Sequence, residues 1–261
     1  MDEAPYLLPR GASEIDRLDV QHYALVAAAG TNRLAPIVAP SRILDVGSGS
    51  GQWAFEMCAE FPDAEVTGLD LVPSRPHPPA NYRFVEANVL DGLPFDEGAF
   101  DYAHQRLMVA GIPVDSWSGA IAELVRVTRS GGWVELAETS LVRFLQGGGP
   151  AIDRIQDLAA TMAAERGLDV TDVVFRSLDG WLRAAGLWGV NRRVVEMGVG
   201  DWAGEIGRLQ ASNVRAGIAH LLEHMPDVSQ QEQAQLVTGL QAEFEQFHVV
   251  GRAAFAYGQK R

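Results

Sequence analysis

The sequence predicts an α/β fold, and three observations predict it. A short apolar strand runs straight into a glycine-rich turn, an acid closes the following strand, and strands alternate with helical segments as far as residue 140. The first is the tightest: Arg42-Ile43-Leu44-Asp45-Val46 reads as a buried strand, Gly47-Ser48-Gly49-Ser50-Gly51 as the turn, and a helix follows from Gln52 to about Phe61.

Ahead of that unit, residues 12–40 form a helical arm with Leu18, His22, Leu25 and Val26 near helical spacing, ending before Pro36 and Pro40. Behind it, Pro62-Asp63 resets the chain and residues 64–70 give a second strand. Prolines at 73, 76, 78 and 79 then stiffen the connection to a third strand, Tyr82 to Glu86. Phe100 to His104 reads as the fourth strand, 117–128 as a helix, and Trp133 to Glu138 as the fifth strand after Gly131-Gly132.

Beyond residue 140 the regularity weakens. Helices are expected over 151–166 and 175–185, a sixth strand within 191–199, a long helical region over 203–247 interrupted near Pro226, and a last strand over 248–258. That excursion lets a cap leave the sheet and return to it. A stripe through Ile206, Leu209, Val214 and Ile218 fits an amphipathic cap helix.

Composition narrows the function classes. With 47% hydrophobic and 21% charged residues among 261, the chain has material for a core. Asp plus Glu exceed Lys plus Arg by 34 to 21, a formal charge of -13 that opposes attraction to nucleic acid or anionic lipid. Cys58 is the single cysteine, which excludes an internal disulfide and a multi-cysteine metal site; it reads as a small core residue. No 18-residue apolar span is present and the start, MDEAPYLLPR, lacks the features of a secretory signal, so a cytoplasmic protein is expected.

The glycine loop and a distant acid define a candidate ligand site. Glycines permit tight backbone angles and keep side chains off a contact surface, and Asp70, 23 positions after Gly47, is placed to accept hydrogen bonds from ribose hydroxyls. A dinucleotide fingerprint wants its third glycine where this chain has Gln52, and the pattern is GxGxG instead. Asp45 stands close enough to the loop to meet a positively charged ligand group, and Trp53 follows the turn directly on the same side.

The whole chain resembles the class I S-adenosylmethionine (SAM)-dependent methyltransferase family, above all the LaeA-like small-molecule group. The resemblance rests on RLDVQHY at 17–23, ILDVGSGSGQW at 43–53, VTGLDLVP at 66–73, NYRFVEANVLDGLPFDEGAFDYAHQR at 81–106, SGGWVELAE at 130–138 and GDWAGEIG at 200–207. It implies a Rossmann-like class I methyltransferase sheet with an N-terminal helical arm (1–40), a SAM-binding core (41–140), and remaining core strands with substrate-cap helices inserted (141–261). It further implies that Gly47, Gly49 and Gly51 approach the methionyl part of SAM, that Asp70 and Leu71 flank ribose and adenine, and that Asn88 and Val89 lie near the adenine amine. Asn88 departs from the acid often found there and lacks its charge. His104, with Gln105 and Arg106 beside it, resembles a cofactor- or substrate-side position, and His22 and Tyr23 resemble residues that close over the cofactor.

SAM brings its own electrophilic methyl group, so the protein mainly has to align an acceptor and exclude water; neither metal nor covalent nucleophile is required. Of the residues at hand, His104 is the leading candidate for a general base, at the end of a strand, and His22 the second. Glu138 reads as a surface carboxylate or polar strand cap that could face the substrate opening, and Arg143 as an exposed residue that could meet an acidic acceptor. His220 and His224, four apart, lack a third ligand and are read as polar cap positions. Most of Trp117, Trp133, Trp181, Trp188 and Trp202 are expected to be buried packing. The expected activity is methyl transfer to a hydroxyl, amine or carbon of a small specialised metabolite, with a nonmethylating SAM-dependent cyclisation or rearrangement, or a ligand-sensing or partner-binding role, as alternatives.

Overall fold

The computed structural model describes residues 12–73, 75–225 and 227–261; the leading residues, on which the expectation about a secretory signal rests, and Pro226 lie outside them. Eight strands make one sheet. β1 (Arg42–Val46) pairs in parallel with β2 (Glu65–Asp70) and with β4 (Phe100–Arg106). β3 (Tyr82–Glu86) extends the sheet beyond β2, and β5 (Thr128–Thr139) extends it beyond β4, both in parallel. β8 (Val250–Gln259) then runs antiparallel beside β5, and it carries both the two-residue β6 (Leu145–Gln146) and the long β7 (Trp188–Gly198). The order is β3-β2-β1-β4-β5-β8-β6, with β7 also on β8.

The central strands are apolar on both faces because helices cover both. On one face Leu44, Val46, Ala103, Val134 and Leu136 pack against α3 (Trp117–Val127) and α5 (Val173–Ala184). On the other, Ile43, Val66 and Tyr102 pack against Trp53, Ala54 and Met57 of α2 (Gln52–Glu60). Trp53 and Trp117 are fully buried there, but Trp188 and Trp202 are 48% and 39% exposed, contrary to the expected packing. Cys58 is buried in the α2 layer, and burial pushes its thiol up to about 11, the behaviour of a core residue.

The arm is helical over α1 (Ala12–Ala29) and no further. Gly30, at φ +73, receives the chain as it leaves the helix. The extended segment that follows is pinned to the sheet: Glu135 of β5, fully buried, accepts hydrogen bonds from the Leu34 and Ala35 amides at 2.9 and 2.6 Å. The cap consists of α4 (Pro150–Glu165), α6 (Gly204–Glu223) and α7 (Gln230–Phe247), with a second hydrophobic core of its own around Ile152, Ile155, Leu222 and Leu240. Proline opens α4 where its missing N–H is harmless, and Glu243 of α7 satisfies the neighbouring amides of Gly149, Ala151 and Ile152.

Replacing Glu135 with alanine leaves two buried N–H groups unpaired, so Glu135→Ala is expected to lose about 2–4 kcal/mol of stability in urea denaturation, with the loss traced to the arm by faster amide exchange at Leu34 and Ala35.

Candidate active site

The turn after β1 is a backbone cradle. Gly47, Gly49 and Gly51 have φ values of +71, +52 and +78, conformations that favour glycine. A Cβ on Gly47 would lie 2.2 Å from the Met108 sulfur, and one on Gly49 would lie 3.2 Å from Leu18 of α1. Asp70, at the end of β2, fixes the loop from beneath: one carboxylate oxygen accepts from the Gly49 amide at 2.8 Å and the other from Leu71 at 2.7 Å. Burial works to raise the Asp70 pKa against those amide donors. The Val72 amide also bonds to this carboxylate, and the lone-pair position that remains can take a ribose hydroxyl.

From this cradle a cavity of about 700 Å³ runs under α1 and α6. Ser48, Asp70, Leu71, Val72, Asn88 and Val89 wall one end, and Leu141, Phe144, Met197, Val214, Ile218 and Leu221 wall the other. Between them stand Arg106, Leu107 and Met108 at the end of β4. Asn88 uses its side-chain oxygen to accept from the Leu90 amide, capping a short turn and leaving its NH₂ uncommitted among the described residues. The arm closes over the loop side: Asp19 pairs with Arg75, and the Gln52 amide donates to Tyr23 Oη at 3.0 Å.

Six of the expected site residues meet on the cavity wall: Gly47, Gly49, Asp70, Leu71, Asn88 and Val89. His22, Tyr23, Asp45, Gly51, Trp53 and His104 do not line it. His104 lies inside β4 rather than at its end, because the ladder with β5 continues to Arg106 opposite Ala137. Its Nδ1 is 2.9 Å from Asp45, its ring stacks on Trp53 at 3.8 Å, and 1% of the residue is exposed. Asp45 and Trp53 are thereby committed to the protein, with the Trp53 indole N–H donating to the Asn32 carbonyl. His22 is buried between Arg106, 2.7 Å from its Nδ1, and Glu56, 3.1 Å from its Nε2. Desolvation, then the Arg106 charge, lowers its pKa, so the ring is held neutral. Neither imidazole is positioned to take a proton from a molecule in the cavity. Gly51 instead starts α2, and Tyr23 is exposed at the rim.

Two other expectations are corrected. Glu138 is neither a surface group nor a group facing the opening: it is fully buried and accepts from the Met108 and Val109 amides at 2.9 and 3.1 Å. The stripe on α6 splits, with Val214 and Ile218 facing the cavity while Ile206 and Leu209 are exposed. Arg143 is exposed away from the cavity. The residues missed by sequence reasoning are Met108, which packs over Gly47, and the polar set Glu14, Arg17, Gln210 and Asn213, which lines the cavity roof. Arg17 pairs with Glu14 at 2.7 and 2.5 Å and donates to Asn213 at 2.8 Å. No signal in one sequence marks them, since polar residues on a surface helix ordinarily face water.

The comparisons with known proteins agree with this geometry. A family model described as a methyltransferase domain matches residues 43–132, from β1 through the start of β5. N-methyltransferase tcpN of Claviceps purpurea is 30% identical over 275 residues, covering 97% of this chain and 96% of the relative. Methyltransferase str3 of Strobilurus tenacellus is 34% identical over 149 residues, 56% of this chain, and that match spans about half, 52%, of the relative's own length. Among solved structures, phosphoethanolamine N-methyltransferase 2 of Haemonchus contortus in complex with SAM shares the fold at a TM-score of 0.54 and 16% identity, over 98% of this chain and 54% of that one. The chain belongs to the class I SAM-dependent methyltransferase family and has its Rossmann-like fold. Over most of its length it is similar to fungal methyltransferases and N-methyltransferases.

Two outcomes test the site. Gly47→Val, which places a side chain into Met108 in a left-handed backbone, is expected to abolish binding of S-adenosylhomocysteine (SAH) in calorimetry. Gly186→Ala, equally left-handed but with open space around its Cβ, is expected to cost only about 1–2 kcal/mol of stability and leave SAH affinity intact. The second concerns Glu138, whose pKa burial pushes up to about 8 despite its two amide donors. The unfolded chain gives up that proton near 4.5 and the folded chain only near 8, so stability from this group falls as pH rises between the two. Glu138→Gln, an isostere of the protonated acid, is expected to flatten the decline in Tm between pH 5 and pH 8.5; an unchanged slope would remove Glu138 from that account.

Proposed function

We propose that this protein transfers the methyl group of SAM to a nitrogen atom of a largely apolar specialised metabolite in the cytoplasm. One observation carries the choice of nitrogen: among the described residues lining the cavity there is no histidine, cysteine, tyrosine or lysine, and both lining carboxylates are committed, Asp70 to backbone amides and Glu14 to Arg17. A neutral nitrogen presents its own lone pair, whereas an alcohol needs a base to reach comparable nucleophilicity. The name of tcpN, an N-methyltransferase matched over nearly its whole length, points the same way.

The residues present fit the cofactor: Gly47 and Gly49 line the cavity in left-handed conformations without side chains, and Asp70 lines it beside Leu71 with a lone-pair position left for a hydroxyl. When bound, SAM supplies an electrophilic methyl group on a sulfonium. Gly47 and Gly49 admit the methionyl part, Asp70 orients the ribose, and Asn88 with Val89 flanks the adenine. Arg106, partly buried and lining the cavity, supplies a positive charge toward the amino-acid carboxylate. α1 and α6 exclude water from the reacting pair, and Met108, whose amide Glu138 holds, packs on Gly47 in the cavity wall.

The test uses SAM labelled in its methyl group and matched acceptors, 3-aminoquinoline and 3-hydroxyquinoline, together with a broad metabolite extract. Label on nitrogen with one equivalent of SAH is the expected result. Label on oxygen alone would refute the choice of nitrogen, a product formed with SAM intact would favour the nonmethylating reaction, and SAH binding that changes association without turnover would favour a sensor.

A further inference from the structure

The roof of the cavity contains a polar group that no step above uses. Gln210 of α6 is 7% exposed, and its side-chain oxygen accepts from the Asn213 amide at 3.4 Å. Its Nε2 donors meet no partner among the described residues. They face the β8 edge, with Nε2 3.8 Å from the place a Cβ on Gly251 would occupy, and both residues line the cavity. The Gln210 nitrogen is therefore open to the cavity, a primary amide donor that an acceptor atom of a bound molecule can take up.

The charges around it are already balanced. Arg17 spends Nε and Nη2 on Glu14 and Nη1 on Asn213, and all three residues are at least nine-tenths buried. The cluster therefore sums to zero: one guanidinium, one carboxylate, two amides. With the pair already neutralised, an anion or an ammonium entering here finds little net opposite charge to repay its own desolvation. An uncharged carbonyl oxygen leaves Arg17 and Glu14 paired and satisfies Gln210. The surrounding wall, Phe144, Met197, Val214 and Ile218, is mainly apolar; Arg252, next to Gly251, also lines the cavity and has Glu196 3.5 Å away as its ion-pair partner.

We propose that Gln210 is a specificity-determining residue that reads a neutral carbonyl on the acceptor, so that the substrate class is an uncharged, mainly apolar molecule carrying an amide, lactam or ketone apart from the atom that is methylated. This rests on the methyl-transfer reading of the same site. It requires no proton transfer at Gln210, only a hydrogen bond that holds the acceptor in register with the cofactor end.

The experiment titrates the full chain, saturated with SAH, with three probes on one skeleton: indole-3-acetamide, indole-3-acetate and tryptamine. The amide is expected to bind at least about tenfold more tightly than either charged probe. Gln210→Leu is expected to weaken amide binding by about tenfold with SAH affinity unchanged, and Gln210→Glu to invert the order in favour of tryptamine, which a merely structural role would not do. Equal or tighter binding of acetate or tryptamine by the wild type, no binding of the amide, or an unchanged order in a Gln210→Glu protein that still binds SAH would each overturn the proposal. Should a variant lose SAH binding, the wild-type order of the three probes decides alone. Failure of the wild type to bind SAH is a different result: it brings down the methyl-transfer reading itself, and this proposal with it.

Discussion

Backbone amides at the bends of this fold are satisfied by buried carboxylates, and the shape of the cavity depends on those clasps. Asp70 holds Gly49 and Leu71, Glu138 holds Met108 and Val109, Glu135 holds Leu34 and Ala35, and Glu243 holds three amides at the start of α4. A turn that leaves a sheet to line a pocket cannot continue the ladder, and its N–H groups would otherwise be buried unpaired. A carboxyl group has two oxygens and can take two or three such amides at once. The acidic excess of the sequence, first read as a statement about partners, thus also has an internal use.

Much of the site was legible because its constraints are local. The glycines at 47 and 49 are required by φ angles and by the approach of Met108 and Leu18, and the acid at 70 is set by the length of one strand-helix-strand unit. The alternation of elements likewise placed β1 to β3 nearly residue for residue, while β5 starts five residues before the expected Trp133, at Thr128. His104 shows where locality ends. Gln105 and Arg106 look like a strand that has stopped, yet pairing with β5 carries β4 two residues further and turns His104 inward onto Trp53. Strand ends belong to the partner strand as much as to the sequence. The polar roof was illegible for the opposite reason: Gln210 and Asn213 follow the rule for an exposed helix face, while the exposed positions, Ile206 and Leu209, follow the rule for a buried one.

The roof joins residues from the two ends of the chain. Arg17 and Asn213 are 196 positions apart, and their hydrogen bond ties α1 to α6 above the cavity. α1 is also held from below, where Arg193 of β7 donates to the Ala29 carbonyl at 2.9 Å and Glu135 grips the segment that follows. The arm is therefore part of the site rather than an appendage to it, and the last strands act on the acceptor chamber through both faces of α1.

Leu107 is where these demands meet. It has φ +56, a conformation that costs a leucine about 1–2 kcal/mol, and it follows the last residue of β4 directly. The turn is held from two sides: the Leu107 amide donates to the Ala137 carbonyl at 2.8 Å, and Glu138 takes the next two amides. Relaxing Leu107 to an ordinary extended conformation would carry Met108 along the sheet and away from Gly47. The strain is offset by the two bonds to Glu138 that the turn makes, so the approach of Met108 to the glycine cradle is built into the backbone rather than left to a flexible methionine.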